Sequence, residues 1–145
     1  MEWNDVNRNF GLCAHAGCPR RADCLRYEAG RLLPADLLQW PFVNPALWRQ
    51  AGAEGCAAFT PAAPQRMARG FKQAMRGVPL QNIVAVREAA MAHFKISRPA
   101  YYHMYSGRRA LTPQEQQEMA ALLARFGAQE PVEFDAYEDA VYWPY

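Results

Sequence analysis

The chain has no apolar run approaching the roughly 20 residues that a bilayer-spanning helix requires. Its opening, MEWNDVNRNFG, lacks the basic start and apolar stretch of a secretory leader. A soluble, cytoplasmic protein with no membrane association is expected. There is no Gly-rich phosphate loop, no paired-carboxylate arrangement and no Ser/His/Asp set. No constellation assembles a nucleophile, a base and an orienting group, so neither enzymatic activity nor a small-molecule substrate is expected. Cysteine is scarce as well, with four residues, all within the first 56 positions. What remains is a 145-residue chain that is 51% hydrophobic, enough for one folded domain or two small lobes.

Acidic residues are nearly missing from the middle of the chain. Between Gln65 and Arg109 there are nine Lys/Arg (Arg66, Arg69, Lys72, Arg76, Arg87, Lys95, Arg98, Arg108 and Arg109) against Glu88 alone, a net +8. The last residues, 131–145, carry Glu133, Asp135, Glu138 and Asp139 and no base, a net −4. Such segregation suits a face that binds polyanions, with the acidic tail folded back on it or turned away. Equally, the basic residues could simply solvate two amphipathic helices.

Residues 1–63 are broken up by Gly, Pro and Cys and read as an irregular lobe. Short helices are expected at Asp23–Tyr27 and Pro34–Trp40, with another turn opening at Asn44-Pro45. Trp40, Phe42, Trp48 and Phe59 are expected to pack this lobe. Thr60-Pro-Ala-Ala-Pro64 is a stiff connector. Beyond it the spacing of Met67, Phe71, Ala74 and Met75 predicts a helix from Pro64 to about Gly77. A second helix is expected from Pro79 to Phe94, with Leu80, Ile83, Met91 and Phe94 facing inward. Thr112-Pro113-Gln114-Glu115 is a capping box with proline at the first helical position. The helix it starts buries Met119, Leu122, Leu123 and Phe126 and ends at Gly127. The expected fold class is mostly α: a Cys-bearing lobe (1–63) packed on a four-helix helix-turn-helix bundle (64–130), followed by an acidic aromatic tail (131–145).

The helix-turn-helix expectation rests on residues 83–109. After a helix ending at Phe94, Lys95-Ile96-Ser97 forms a short turn, Ser97 caps the next helix and Pro99 lies in its first turn. Gly107 closes that helix in a left-handed conformation. Ile96, Tyr101, Met104 and Tyr105 make its apolar edge, leaving Arg98, Tyr102, His103 and Ser106 outward, as a major-groove reader requires.

Cys13, Cys18, Cys24 and Cys56 follow a C-x4-C-x5-C spacing with a fourth member 31 intervening residues later. Structural disulfides are not expected where thiols are kept reduced. Four thiolates in a loop-rich lobe match tetrahedral zinc, and the same set would serve an iron–sulfur cluster; His15 could replace one of them. Unliganded buried thiols are the remaining alternative. A catalytic thiol is not expected, since no cysteine has a recognisable base partner.

Two segments, CAHAGCPRRADCLRY and YYHMYSGRRALTPQEQQEMAALLARFG, resemble an uncharacterised family of small proteins from Bacteroidales bacteria. The resemblance rests on Cys18-Pro19, Cys24-Leu25-Arg26-Tyr27, Val43-Asn44-Pro45, Gly70-Phe71, Tyr101-Tyr102, Gly107, Leu111-Thr112-Pro113 and Phe134-Asp135-Ala136-Tyr137. It spans nearly the whole chain and implies one integrated architecture without an assigned activity. Residues 90–109 are also similar to the helix-turn-helix of phage repressors. They depart from it at Met91, where that motif has alanine, and at Lys95, where it has glycine.

The function these features predict is that of a DNA-binding transcriptional regulator. Arg98, Tyr102, His103 and Ser106 would face bases, while Lys95, Ser97, Arg108 and Arg109 would hold phosphates. A lone motif binds weakly, so a homodimer or a second basic element is implied, such as the segment carrying Arg66, Arg69, Lys72 and Arg76. A protein-interaction module and a metal-responsive or iron–sulfur sensor are the other readings.

Overall fold

A computed structural model describes residues 1–50 and 55–144, and these form two compact units. Unit 1 comprises 1–64 with 141–145, and unit 2 comprises 65–140. Among the described residues no helix is long and apolar enough to cross a membrane.

Unit 1 is mostly turns and short helices: single 3-10 turns at Trp3–Asp5 and Arg21–Asp23, α1 (Leu25–Gly30) and α2 (Pro45–Gln50). The Asn44 side-chain oxygen accepts from the Ala46 N–H at the start of α2, satisfying a donor that the helix leaves free. The segment 34–40 contains no helix. The core of the unit is Val6, Phe10, Leu12, Leu25 and Ala29, with Trp3, Leu33, Trp40, Val141 and Trp143 packed against it. Trp40 lies edge-on to Trp3 and donates its indole N–H to the Phe10 carbonyl at 3.0 Å. Phe42 is exposed instead of packed.

Unit 2 overturns the four-helix bundle. Its elements are β1 (Gln65–Arg69), α3 (Lys72–Arg76), α4 (Ile83–Phe94), α5 (Arg98–Tyr105), β2 (Ala110–Leu111), α6 (Pro113–Arg125) and β3 (Ala136–Ala140). The three strands form an antiparallel sheet in the order β2-β1-β3, so the protein mixes helices with a sheet. The residues that mimic one helical stripe are split between strand and helix. Met67 and Ala68 are buried from β1, while Phe71 and Met75 are buried from the turn and α3. Strand pairing prevails because β1 is central and satisfies backbone groups on both sides, in place of intrahelical bonds. The acidic segment supplies one partner: Met67 pairs with Glu138 and Arg66 with Asp139. Glu138 also reaches diagonally to Arg69, 2.6 Å away.

A junction locks β1 to α3. Gly70 has φ +71, a region that L side chains avoid, and a Cβ there would lie 2.5 Å from the Asp135 carboxylate. That carboxylate accepts from the N–H groups of Lys72 (2.8 Å) and Gln73 (2.9 Å), capping α3 from a residue remote in sequence. Gly107, at φ +83, ends the α5 region where a Cβ would press on the Gly70 nitrogen. Phe71, fully buried, sets its ring edge-on to Tyr101 and Tyr105.

The helix ends expected from local sequence are present. The Ser97 hydroxyl accepts from the Ala100 N–H, and Thr112 with Glu115 forms the reciprocal capping box of α6. Between α4 and α5, Lys95 adopts φ 52 and ψ 45, the left-handed conformation normally left to glycine. Ile83, Met91 and Phe94 of α4 pack against the core as expected, beside the fully buried Val86 and Ala90, whereas Leu80, in a 3-10 turn ahead of the helix, is 88% exposed. Leu80 sits outside the α-helical stripe, so its period does not bring it to the core.

Tyr101 is 2% exposed, and burial pushes its hydroxyl up to about 12. The folded chain therefore keeps a proton that the unfolded chain releases above the ordinary tyrosine value of 10.0. The stability tied to this proton is fully present below pH 10 and is lost as pH rises towards 12. Thermal melts across that window should fall less steeply for Tyr101→Phe than for the unsubstituted protein; identical slopes would refute the assignment.

Candidate nucleic-acid interface and cysteine cavity

In unit 2, α5 presents its two faces as its spacing requires. Tyr101 and Met104 are buried, while Arg98, Tyr102, His103 and Ser106 are exposed, as are Lys95 and Ser97 before the helix and Arg108 after it. Ser97 is occupied as the helix cap. Arg109 is different. It is partly buried, bonds the Glu115 carboxylate at 2.6 Å and keeps one buried guanidinium nitrogen without a partner among the described residues. Glu115 is at the same time the α6 capping residue, so Arg109 is tied to the structure of that helix start.

The tertiary fold sorts the basic residues of 65–109. Arg69, Arg87 and Arg109 are ion-paired with Glu138, Glu88 and Glu115. Arg66, Lys72, Arg76, Lys95, Arg98 and Arg108 are exposed and have no ion pair among the described residues. Arg66 and Lys72 lie over the rings of Tyr137 and Tyr105. Among the described residues, the acidic tail, expected to fold back on the basic face or turn away from it, ion-pairs with Arg69 and sets Tyr137 under Arg66 while leaving Arg98 and Arg108 open.

Sequence reasoning missed the cleft between α3, α4 and α5. It has a volume of about 410 Å³, with Lys72, Arg76, Arg87 and the rings of Tyr101, Tyr102 and Tyr105 in its wall. Arg87 donates to the Tyr102 hydroxyl at 3.3 Å. That bond, with the positive charge of Arg98 nearby, holds the Tyr102 hydroxyl below the usual tyrosine range. Around the next turn, Arg108 meets the ring of His103 at 3.5 Å. The i, i+3 and i, i+4 spacing of aromatics on α5 was the only local signal of this cleft.

In unit 1, a separate, partly open cavity of about 50 Å³ carries all four cysteines in its wall. They are brought there by three segments: the turns of 13–18, the N-cap of α1 at Cys24, and the stretch after α2 at Cys56. All four are free thiols. Burial pushes the Cys13 thiol up, partly offset by a hydrogen bond from the His15 N–H at 3.5 Å. His15 also lines the cavity, its ring stacked on Trp48 with centroids 5.0 Å apart. Arg26 is fixed beside the thiols by donating to the Gly11 (2.6 Å) and Ala58 (2.7 Å) carbonyls. Burial lowers its basicity, and the neighbouring Cys24, Cys56 and Cys13 oppose that shift. Among the described residues, no three His, Cys, Asp or Glu side chains are grouped to hold one metal ion.

A family model described as a family of unknown function (DUF6078) matches residues 1–143, and the chain belongs to that family. No match is found among curated proteins or among solved structures.

Proposed function

We propose that this member of the DUF6078 family binds duplex DNA through the exposed face of α5 and the cleft beside it, as a regulator of transcription. The observation that carries the reading is the sorting of cations: six exposed Lys/Arg residues of 65–109 are left without an ion pair among the described residues. An unpaired cation on a surface retains its charge for phosphate, whereas Arg69 and Arg109 are already neutralised. Lys72 and Arg76 supply the second basic element that a single short recognition helix needs, so binding does not depend on a homodimer.

Arg98, at the start of α5, reads a guanine edge; Tyr102, His103 and Ser106 extend the base-facing row, and Lys95 and Arg108 grip phosphate. The Arg87 bond to the Tyr102 hydroxyl limits the motion of one base-facing side chain, which lowers the ordering cost of binding. Arg98→Ala should weaken binding to a preferred sequence and flatten the preference at one base pair by about 1–3 kcal/mol. Arg108→Ala should weaken all sequences alike. Selection of binding sites from a random duplex pool by both variants checks this. Indistinguishable profiles for Arg98→Ala and the unsubstituted protein would overturn base reading by α5.

A further inference from the structure

The cleft between α3, α4 and α5 combines cations with an exposed aromatic ring, a pairing that phosphate contact alone leaves half used. Lys72, Arg76 and Arg87 line it, with no carboxylate among the described lining residues. Lys72 and Arg76 stand four apart on α3, so they share one face of that helix. Both are exposed, and neither has an ion pair among the described residues. Arg87 approaches from α4, paired with Glu88 and bonded to the Tyr102 hydroxyl.

Tyr102 differs from the other two tyrosines of the wall. It is 42% exposed, whereas Tyr101 is buried and Tyr105 half-buried. Its ring is set edge-on to both, with centroids 5.3 and 6.2 Å away, while Arg87 holds the hydroxyl. It is an aromatic platform with little freedom left to lose when a flat ring stacks on it.

Charge and platform together define the ligand. A carboxylate brings one negative charge to three cations, whereas a phosphate monoester carries about two at pH 7. Inorganic phosphate satisfies the cations and leaves the platform bare; an uncharged base does the opposite. A nucleoside monophosphate supplies both parts. The open cleft, about 410 Å³, falls within the roughly 300–1,000 Å³ of small-molecule sites.

We propose that this cleft binds a free nucleoside monophosphate, its phosphate on Lys72 and Arg76 and its base stacked on Tyr102. All three residues also serve the DNA contacts described above, so the nucleotide displaces duplex DNA and acts as an effector. That displacement rests on the DNA reading; the nucleotide site itself does not.

Calorimetric titration of the full chain, without DNA, tests the site. The probes are the common nucleoside 5′-monophosphates, compared with ribose 5-phosphate, inorganic phosphate and phenyl phosphate. At least one nucleotide should bind about tenfold more tightly than any of the three comparisons. Tyr102→Ala should remove that advantage while leaving ribose 5-phosphate binding nearly unchanged. Lys72→Ala with Arg76→Ala should weaken every phosphorylated probe. All three side chains are exposed, so the variants should keep their far-ultraviolet circular dichroism. Should one fail to fold, the ranking of probes on the unsubstituted chain still decides. No nucleotide binding tighter than about 1 mM, or equal binding of inorganic or phenyl phosphate, overturns the proposal. A labelled duplex is then challenged with the bound nucleotide. A duplex that binds and is not released overturns the effector role, whereas a duplex that never binds overturns the DNA reading and leaves the nucleotide site standing.

Discussion

Replacing Phe71 with alanine should lower the stability of unit 2 by about 3–5 kcal/mol, the range for deleting a fully buried aromatic ring. Phe71 has no exposed surface and is where β1, α3 and α5 meet. Its ring packs edge-on against Tyr101 and Tyr105, and its N–H donates to the Tyr105 carbonyl at 3.3 Å. Truncation leaves a cavity flanked by two tyrosines that are themselves anchored in α5, so collapse around it is limited. Urea unfolding should show a lower midpoint with little change in slope. A loss below about 1 kcal/mol would mean that the ring is not central to the core. The same substitution should loosen the cleft, because Tyr101 and Tyr105 form part of its wall.

The second large effect is on DNA affinity. If the five exposed, unpaired cations other than Arg98 meet phosphate, raising salt from about 50 to 200 mM should weaken duplex binding roughly five-hundredfold. The reason is release of condensed counterions, about 0.9 per phosphate neutralised. Lys72→Glu with Arg76→Glu should reduce the magnitude of the log–log slope by about two, since each removed contact takes one counterion out of the balance. Fluorescence anisotropy across a salt series measures both quantities. A flat dependence would eliminate direct phosphate contact. Arg69→Ala should scarcely change the slope, because its charge is already matched by Glu138.

The residues behind the family resemblance are largely absorbed by architecture. Gly70, Phe71, Gly107 and Asp135 build the junction between β1, α3 and α5, and Thr112-Pro113 starts α6. In unit 1, Cys18, Pro19, Cys24, Arg26, Tyr27 and Val43 all line the thiol cavity. The sequence therefore marked both places without distinguishing scaffold from site. Tyr102 is a case in point: its exposure was expected, but its bond to Arg87 on a different helix was not.

Local features were legible because their physics is local. Ser97, Thr112, Glu115, Gly107 and Gly127 satisfy or terminate helix ends within a few residues of themselves, and each of those ends lies where the chain announces it. The strand at Gln65–Arg69 was not legible, since its longer partner begins at Ala136 and only that pairing outweighs an apparent helical stripe. The sequence by itself settled which residues can carry charge, cap helices and supply thiolates. Only the tertiary structure decided which arginines remain unpaired and which cysteines share a cavity. Ion pairing and convergence depend on distances between segments far apart in the chain, and no local pattern encodes those distances.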